Sequence, residues 1–167
     1  MRVLGIDCGS EYTGYGVVEQ ADQRELVCCV SGAIKLKPRE AMAAKLQKIF
    51  VELTTIIALH QPEIVAIEEV FYAVNVKSAL KLGQVRGVAM LAASSCGLQV
   101  AEYAPLAIKS AVVGYGRAEK QQVQQMVMRL LKLPLPPQPT DAADALAIAI
   151  CHIHTAMTLS KYQAASQ

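Results

Sequence analysis

Arg2-Val3-Leu4-Gly5-Ile6-Asp7-Cys8-Gly9-Ser10 opens the chain, and its reading decides the fold. Five residues of strand-forming character end on a carboxylate and then on a glycine turn. A second apolar run, Ile64-Val65-Ala66-Ile67, ends on Glu68. Asp141-Ala142-Ala143-Asp144 opens a third, Ala145-Leu146-Ala147-Ile148-Ala149-Ile150. Carboxylates beside such stretches are costly to bury unless they are paired, hydrogen-bonded or bound to a cation. If Asp7, Glu68, Asp141 and Asp144 converge, they form an oxygen-rich site suited to Mg²⁺ or Mn²⁺ and to phosphodiester chemistry.

Working outward from Asp7, Cys8 to Gly14 reads as a turn into a strand over residues 15–19, and residues 25–36 as a third strand. Links this short make the three antiparallel. Residues 39–60 carry Leu46, Ile49, Phe50, Leu53, Ile56 and Ile57 at helical spacing, and Pro62 stops that helix. Residues 63–68 form a strand of the buried, parallel kind. A helix over 75–96 ends at Gly97, a fifth strand spans 98–103, and helices follow over 105–113 and 120–131. A proline-rich link, 134–139, precedes a last helix beginning near Thr140. The expected fold is α/β: a mixed five-stranded sheet, three antiparallel strands then two parallel, with helices on both faces. One domain over residues 1–158 is expected, with 159–167 as a frayed tail.

Composition narrows the function classes. The 167 residues are 53% hydrophobic, with mean hydropathy +0.32. No apolar run reaches the 18 or so residues of a membrane helix; the longest candidate, 142–153, contains Asp144 and His152. A strand starting at Arg2 leaves no room for a secretory leader, so a cytoplasmic location is expected. The five cysteines, Cys8, Cys28, Cys29, Cys96 and Cys151, have neither zinc-site nor disulfide-framework spacing. The net charge of +2 hides an asymmetry. Between residues 70 and 140, Lys77, Lys81, Arg86, Lys109, Arg117, Lys120, Arg129 and Lys132 face only Glu102 and Glu119. A basic middle beside an acid cluster suits a polyanionic substrate.

Each motif has an alternative reading. The glycine turn after Asp7 resembles the first phosphate loop of the sugar-kinase, actin and Hsp70 ATPases, but those need a second such domain, for which this chain is too short. Asp141 and Asp144 share a helix face in its first turn, where simple capping also places acids. Glu68 and Glu69 point to opposite faces of a strand, so only Glu68 joins Asp7. Phe71 and Tyr72 suit stacking on an unpaired base, or a strand-end packing role. Ala79, Gly83 and Gly87 recur every four residues on one helix face, fit either for packing on the sheet or for a two-fold helix contact. His60, His152 and His154 are not expected to be metal ligands, although His152 lies two turns beyond Asp144 on its face.

The combined motifs resemble one family. They are Gly5-Ile6-Asp7-x-Gly9-Ser10 with Thr13-Gly14-Tyr15-Gly16, Ala66-Ile67-Glu68-x-Val70-Phe71, and Asn75-x-x-Ser78-Ala79-Leu80-Lys81-Leu82-Gly83-Gln84-x-Arg86-Gly87. Lys109-x-x-Val112-Val113-Gly114, Ala118-Glu119-Lys120-x-x-Val123 and Asp141-Ala142-Ala143-Asp144-Ala145-Leu146-Ala147 complete the set. Up to about His154 the chain resembles RuvC-type crossover junction endodeoxyribonucleases, Holliday junction resolvases of the ribonuclease-H-like superfamily. The resemblance implies catalytic, metal-holding acids at Asp7, Glu68, Asp141 and Asp144, with two Mg²⁺ or Mn²⁺ ions per site. It implies Lys109 and Lys120 near the scissile phosphate, Lys120 as a catalytic residue, and a junction-opening aromatic at Phe71. DNA contacts are expected from Tyr72, Lys77, Lys81 and Arg86. It also implies a homodimer that nicks a four-way DNA junction symmetrically, leaving 5′-phosphate and 3′-hydroxyl ends; a symmetric substrate favours the two-fold reading of Ala79, Gly83 and Gly87 as its interface. The branch-migration helicase complex is a further candidate partner. The family usually has proline after the first Asp; here Cys8 stands there, pointing away from Asp7's face by alternation, so activity is expected to survive, and oxidation sensitivity of so near a thiol is a hypothesis that peroxide treatment of Cys8→Ser tests. A ribonuclease-H-like nuclease acting on RNA or hybrids, and an inactive junction-binding protein, are the alternatives. The Phe71 loop argues against the first and four intact acids against the second.

Overall fold

A computed structural model describes residues 1–22, 25–69 and 75–165, with side chains to Gln163. The strands are β1 (Arg2–Asp7), β2 (Tyr12–Gln20), β3 (Leu26–Lys35), β4 (Ile64–Glu68) and β5 (Gln99–Tyr103). The helices are α1 (Met42–His60), α2 (Val76–Ser95), α3 (Pro105–Val113), α4 (Lys120–Leu130) and α5 (Thr140–Ala165). The sheet order is β3-β2-β1-β4-β5. β1–β2 and β2–β3 are antiparallel, whereas β1–β4 and β4–β5 are parallel. The expected mixed sheet is therefore found, with β1 and β4 at its centre.

Alternation along the strands divides the core in two. Val3, Val18 and Ala66 pack with α3, α4 and α5 on one face. Leu4, Ile6, Val17, Val65 and Ile67 pack with α1 and α2 on the other. Asp7 and Glu68 thus continue the α5-facing parity of Val3 and Ala66 past the carboxyl ends of the two central strands. α5 lies unusually close to the sheet because Gly5 has no side chain. A Cβ there would collide with the Ala145 carbonyl oxygen and lie 2.8 Å from the Ala149 nitrogen.

Two expectations about length are corrected. β2 begins at Tyr12, not residue 15, because the turn is tighter than its glycines suggest: the buried Thr13 hydroxyl donates to the Gly9 carbonyl at 3.4 Å. The tail expected to fray from residue 159 instead prolongs α5 to Ala165. No glycine or proline interrupts that stretch, and its alanine, lysine and glutamine are compatible with helix. The longer helix also changes the membrane reading. Over Thr140–Gln163 it is long and apolar enough to span a bilayer by length and composition, yet 56% of its most apolar window is buried in the protein. It is the core helix that covers the sheet.

Candidate active site

β1 and β4 end side by side, so Asp7 and Glu68 are neighbours across the sheet. α5 starts above them. Asp7, Glu68 and Asp144 line one cleft of about 330 Å³, together with Lys109 of α3 and Lys120 of α4. Pro105, Ile108, Val123, Ala147 and Ile148 supply its apolar wall. Local rules place the lysines. Pro105 starts α3 with its fixed φ, and the Gln122 side chain accepts a 2.8 Å hydrogen bond from the Glu119 N–H, securing the start of α4 at Lys120. The Lys120 ammonium pairs with Asp144 Oδ2 at 2.6 Å.

Asp141 does not line that cleft. It is seated against β2, where a Cβ on Gly14 would lie 3.1 Å from the Asp141 Cβ and would collide with its carbonyl oxygen. Gly14 is the register partner of Asp7, which is why the Asp141 charge still reaches that carboxyl.

The electrostatics show what the cluster lacks. Burial first, then repulsion from Asp144, Glu68 and Asp141, pushes Asp7 up to about 7, against a pull down from Lys120. Burial and Asp144 also raise Glu68, opposed by Lys109 and Lys120. The Lys120 ammonium is held above its ordinary value chiefly by its hydrogen bond to Asp144. Among the described residues, no three Asp, Glu, His or Cys side chains are gathered closely enough to hold a metal ion as they stand. The donors nevertheless fit one: hard carboxylate oxygens whose mutual repulsion a divalent cation relieves.

One consequence is measurable. Asp7 binds its proton more tightly folded than unfolded, so between about pH 4 and pH 7 the folded state carries the extra proton. Stability is fully present below the unfolded value near 3.8 and is lost as pH rises through about 7. Over that whole range the expected loss is on the order of 4 kcal/mol, of which about 3 kcal/mol falls between pH 5 and pH 8. Urea midpoints of metal-free protein at pH 5 and pH 8 should fall accordingly, and Asp7→Asn should lack this component. Equal pH dependence in the two proteins refutes the assignment.

Cys8 packs on the α1–α2 side, away from Asp7, as alternation predicts. Burial and the Asp7 charge push its thiol up to about 12, disfavouring the thiolate that oxidation sensitivity requires. His152 Nδ1 is 2.8 Å from the Tyr103 hydroxyl, and His154 Nδ1 is 2.8 Å from the Ala111 carbonyl oxygen, which suits packed roles. Phe71 and Tyr72 lie outside the described residues. Lys77 and Lys81 are exposed on α2. Arg86, expected on DNA, pairs with Glu102 and donates from Nε to the Glu68 carbonyl oxygen at 3.3 Å. Glu102 had no distinguishing sequence signal beyond being one of two acids in a basic block. Gly83 and Gly87 do not pack on the sheet: a Cβ on either would meet nothing within 4 Å.

A mixed sheet of this order, with carboxylates at the ends of its two central strands and at the start of a covering helix, defines a ribonuclease-H-like nuclease. Residues 3–152 match the family model described as crossover junction endodeoxyribonuclease RuvC. A protein of that description from Koribacter versatilis is 66% identical over 98% of this chain and 99% of its own length. One from Acidobacterium capsulatum is 58% identical over the same shares. Thermus thermophilus RuvC in complex with Holliday junction substrate superposes with a TM-score of 0.90 at 34% identity, covering 95% of this chain and 96% of that one. The chain belongs to the RuvC family of crossover junction endodeoxyribonucleases, which are divalent-metal-dependent.

Proposed function

We propose that this protein resolves four-way DNA junctions by paired, symmetric phosphodiester hydrolysis. The carrying observation is the single cleft that unites Asp7, Glu68 and Asp144 with Lys109 and Lys120. Asp7, Glu68, Asp141 and Asp144 are the residues to hold two Mg²⁺ (or Mn²⁺) ions. Bound there, such ions polarise the scissile phosphate and acidify the attacking water. Lys120, already at the Asp144 carboxylate, and Lys109 put positive charge on the wall where phosphate charge develops. The apolar wall from Ile108 to Ile148 limits bulk water on that side. Phe71 and Tyr72 are proposed to stack on bases unpaired at the crossover. The products are 5′-phosphate and 3′-hydroxyl ends.

Two symmetric nicks call for two sites related by a two-fold axis. α2 offers the face. Val76 (77% exposed), Leu80 (65%) and Leu91 (58%) lie along it beside Gly83 and Gly87, whose bare backbone invites a close helix partner. Ala79, half-buried, flanks that stripe. The proposed assembly is a homodimer of a single nuclease domain acting in the cytoplasm. The branch-migration helicase complex is its proposed partner, on family membership alone.

The test is cleavage of a synthetic four-way junction, a duplex and an RNA–DNA hybrid, with Mg²⁺ and then EDTA. Junction-selective, EDTA-sensitive nicking is expected. Preference for the hybrid overturns the reading. The lysines should separate. Lys120→Ala should lower single-turnover cleavage about 10²-fold with little change in junction affinity. Lys81→Ala should leave cleavage at saturation unchanged and reduce the salt slope of binding by about one. Titrations at several salt concentrations check both.

A further inference from the structure

The side of the sheet opposite the cleft carries its own cluster beneath the catalytic strand ends. Cys8, Arg86 and Glu102 meet there. Glu102 is the register partner of Ile67, so its side chain takes the α2-facing parity of that residue. Arg86 rises from α2 between them, with its side chain only 20% exposed. Its Nη2 pairs with the Glu102 carboxylate, its Nε donates to the Glu68 carbonyl oxygen at 3.3 Å, and its charge acts on the Cys8 thiol next to Asp7. A half-buried guanidinium holds the strand-end carbonyl with one directed donor while a second is anchored on the Glu102 carboxylate, a fixed fork that a lysine point charge does not provide.

We propose that Arg86 is a positioning residue for Glu68 rather than a DNA contact. It clamps the carboxyl end of β4 from behind, and so fixes the direction of the Glu68 side chain. The Glu69 N–H, bonded to the Tyr103 carbonyl oxygen at 2.8 Å, is the second tie at the same point. Because Arg86 belongs to the helix whose outer face carries Leu80, Gly83 and Gly87, the clamp also joins the proposed dimer face to the catalytic strand. This inference rests on the nuclease reading of Glu68.

The test compares wild type with Arg86→Ala, Arg86→Lys and Glu102→Gln. Three quantities are read: single-turnover junction cleavage in Mg²⁺, junction affinity at several salt concentrations without divalent ion, and hydrogen exchange of the Glu69 amide in the metal-free protein. Arg86→Ala should slow cleavage between tenfold and about 10²-fold, the scale expected of a small misplacement of a catalytic group. Affinity and its salt slope should be unchanged, and Glu69 exchange should accelerate. Arg86→Lys should recover part of the rate. Glu102→Gln should cost less than Arg86→Ala, because the bond to the Glu68 carbonyl survives. Should Arg86→Ala not fold, the other two variants carry the same comparison. Weaker binding with a smaller salt slope and an undiminished saturated rate would make Arg86 a phosphate contact and overturn the proposal, as would wild-type cleavage and exchange in all variants. A wild type that fails to cut the junction instead defeats the nuclease reading itself.

Discussion

Asp7→Asn should abolish junction cleavage, by roughly 10³-fold or more, while leaving junction binding intact. Asp7 is the carboxylate that every other acid in the site acts upon: Asp144, Glu68 and Asp141 all raise it. A group so placed is the natural donor to a shared cation, and the amide that replaces it is isosteric but uncharged. Losing one charged donor from a metal site that supplies several kcal/mol of transition-state stabilisation corresponds to a rate loss of that size. Phosphate affinity comes from Lys77, Lys81, Lys109 and their neighbours in the proposed complex, so binding without divalent ion should be unchanged or slightly tighter as a negative charge leaves the cleft. Filter binding and single-turnover cleavage on one junction preparation decide it. Cleavage within tenfold of wild type removes Asp7 from the metal site.

The same substitution should make the metal-free protein more stable above pH 7, since it removes the ionised carboxylate that burial and three acids oppose. A site that is poor in stability without its cation is the expected result of assembling like charges for catalysis.

Much of this was legible in the residues. The alternation Val3–Leu4–Gly5–Ile6–Asp7 predicts which face Asp7 takes, and the uninterrupted run 64–67 predicts a strand buried on both sides next to it. Pro62, Gly97 and Gly114 mark element ends where the backbone demands them; the last two have φ of 76° and 98°. What was not legible depends on contacts between distant segments. A count of basic residues cannot separate Lys81, open to solvent, from Arg86, turned onto Glu102 and the Glu68 carbonyl. Helical spacing puts Asp141 and Asp144 on one face, but only the packing of α5 on β2 sends Asp144 to the cleft and seats Asp141 at Gly14. The length of α5 escaped because serine, threonine and tyrosine dilute its apolar pattern after Ile153, although none of them ends a helix.

That packing makes Gly14→Ala the other large effect. Gly14 pairs with Asp7 in the sheet, and the first turn of α5 crosses directly over it. An added methyl meets the backbone carbonyl of Asp141, not the flexible end of a side chain, so no rotamer change relieves the contact. The helix start must lift, and with it Asp141 and Asp144. Overpacking of this kind costs about 1–3 kcal/mol in stability. Its effect on chemistry should be larger, because displacing a catalytic group by about 1 Å costs roughly 10²-fold in rate. Gly5→Ala forms the comparison. It collides with the same helix one turn further on, at the Ala145 carbonyl and Ala149 nitrogen, beyond Asp141 and on the C-terminal side of Asp144. Gly5→Ala should therefore destabilise at least as much as Gly14→Ala, while losing less cleavage per molecule folded. Urea melts and single-turnover rates, corrected for the folded fraction, measure the two separately. If both variants lose cleavage only in proportion to unfolding, the seat of α5 on Gly14 does not set the geometry of its acids.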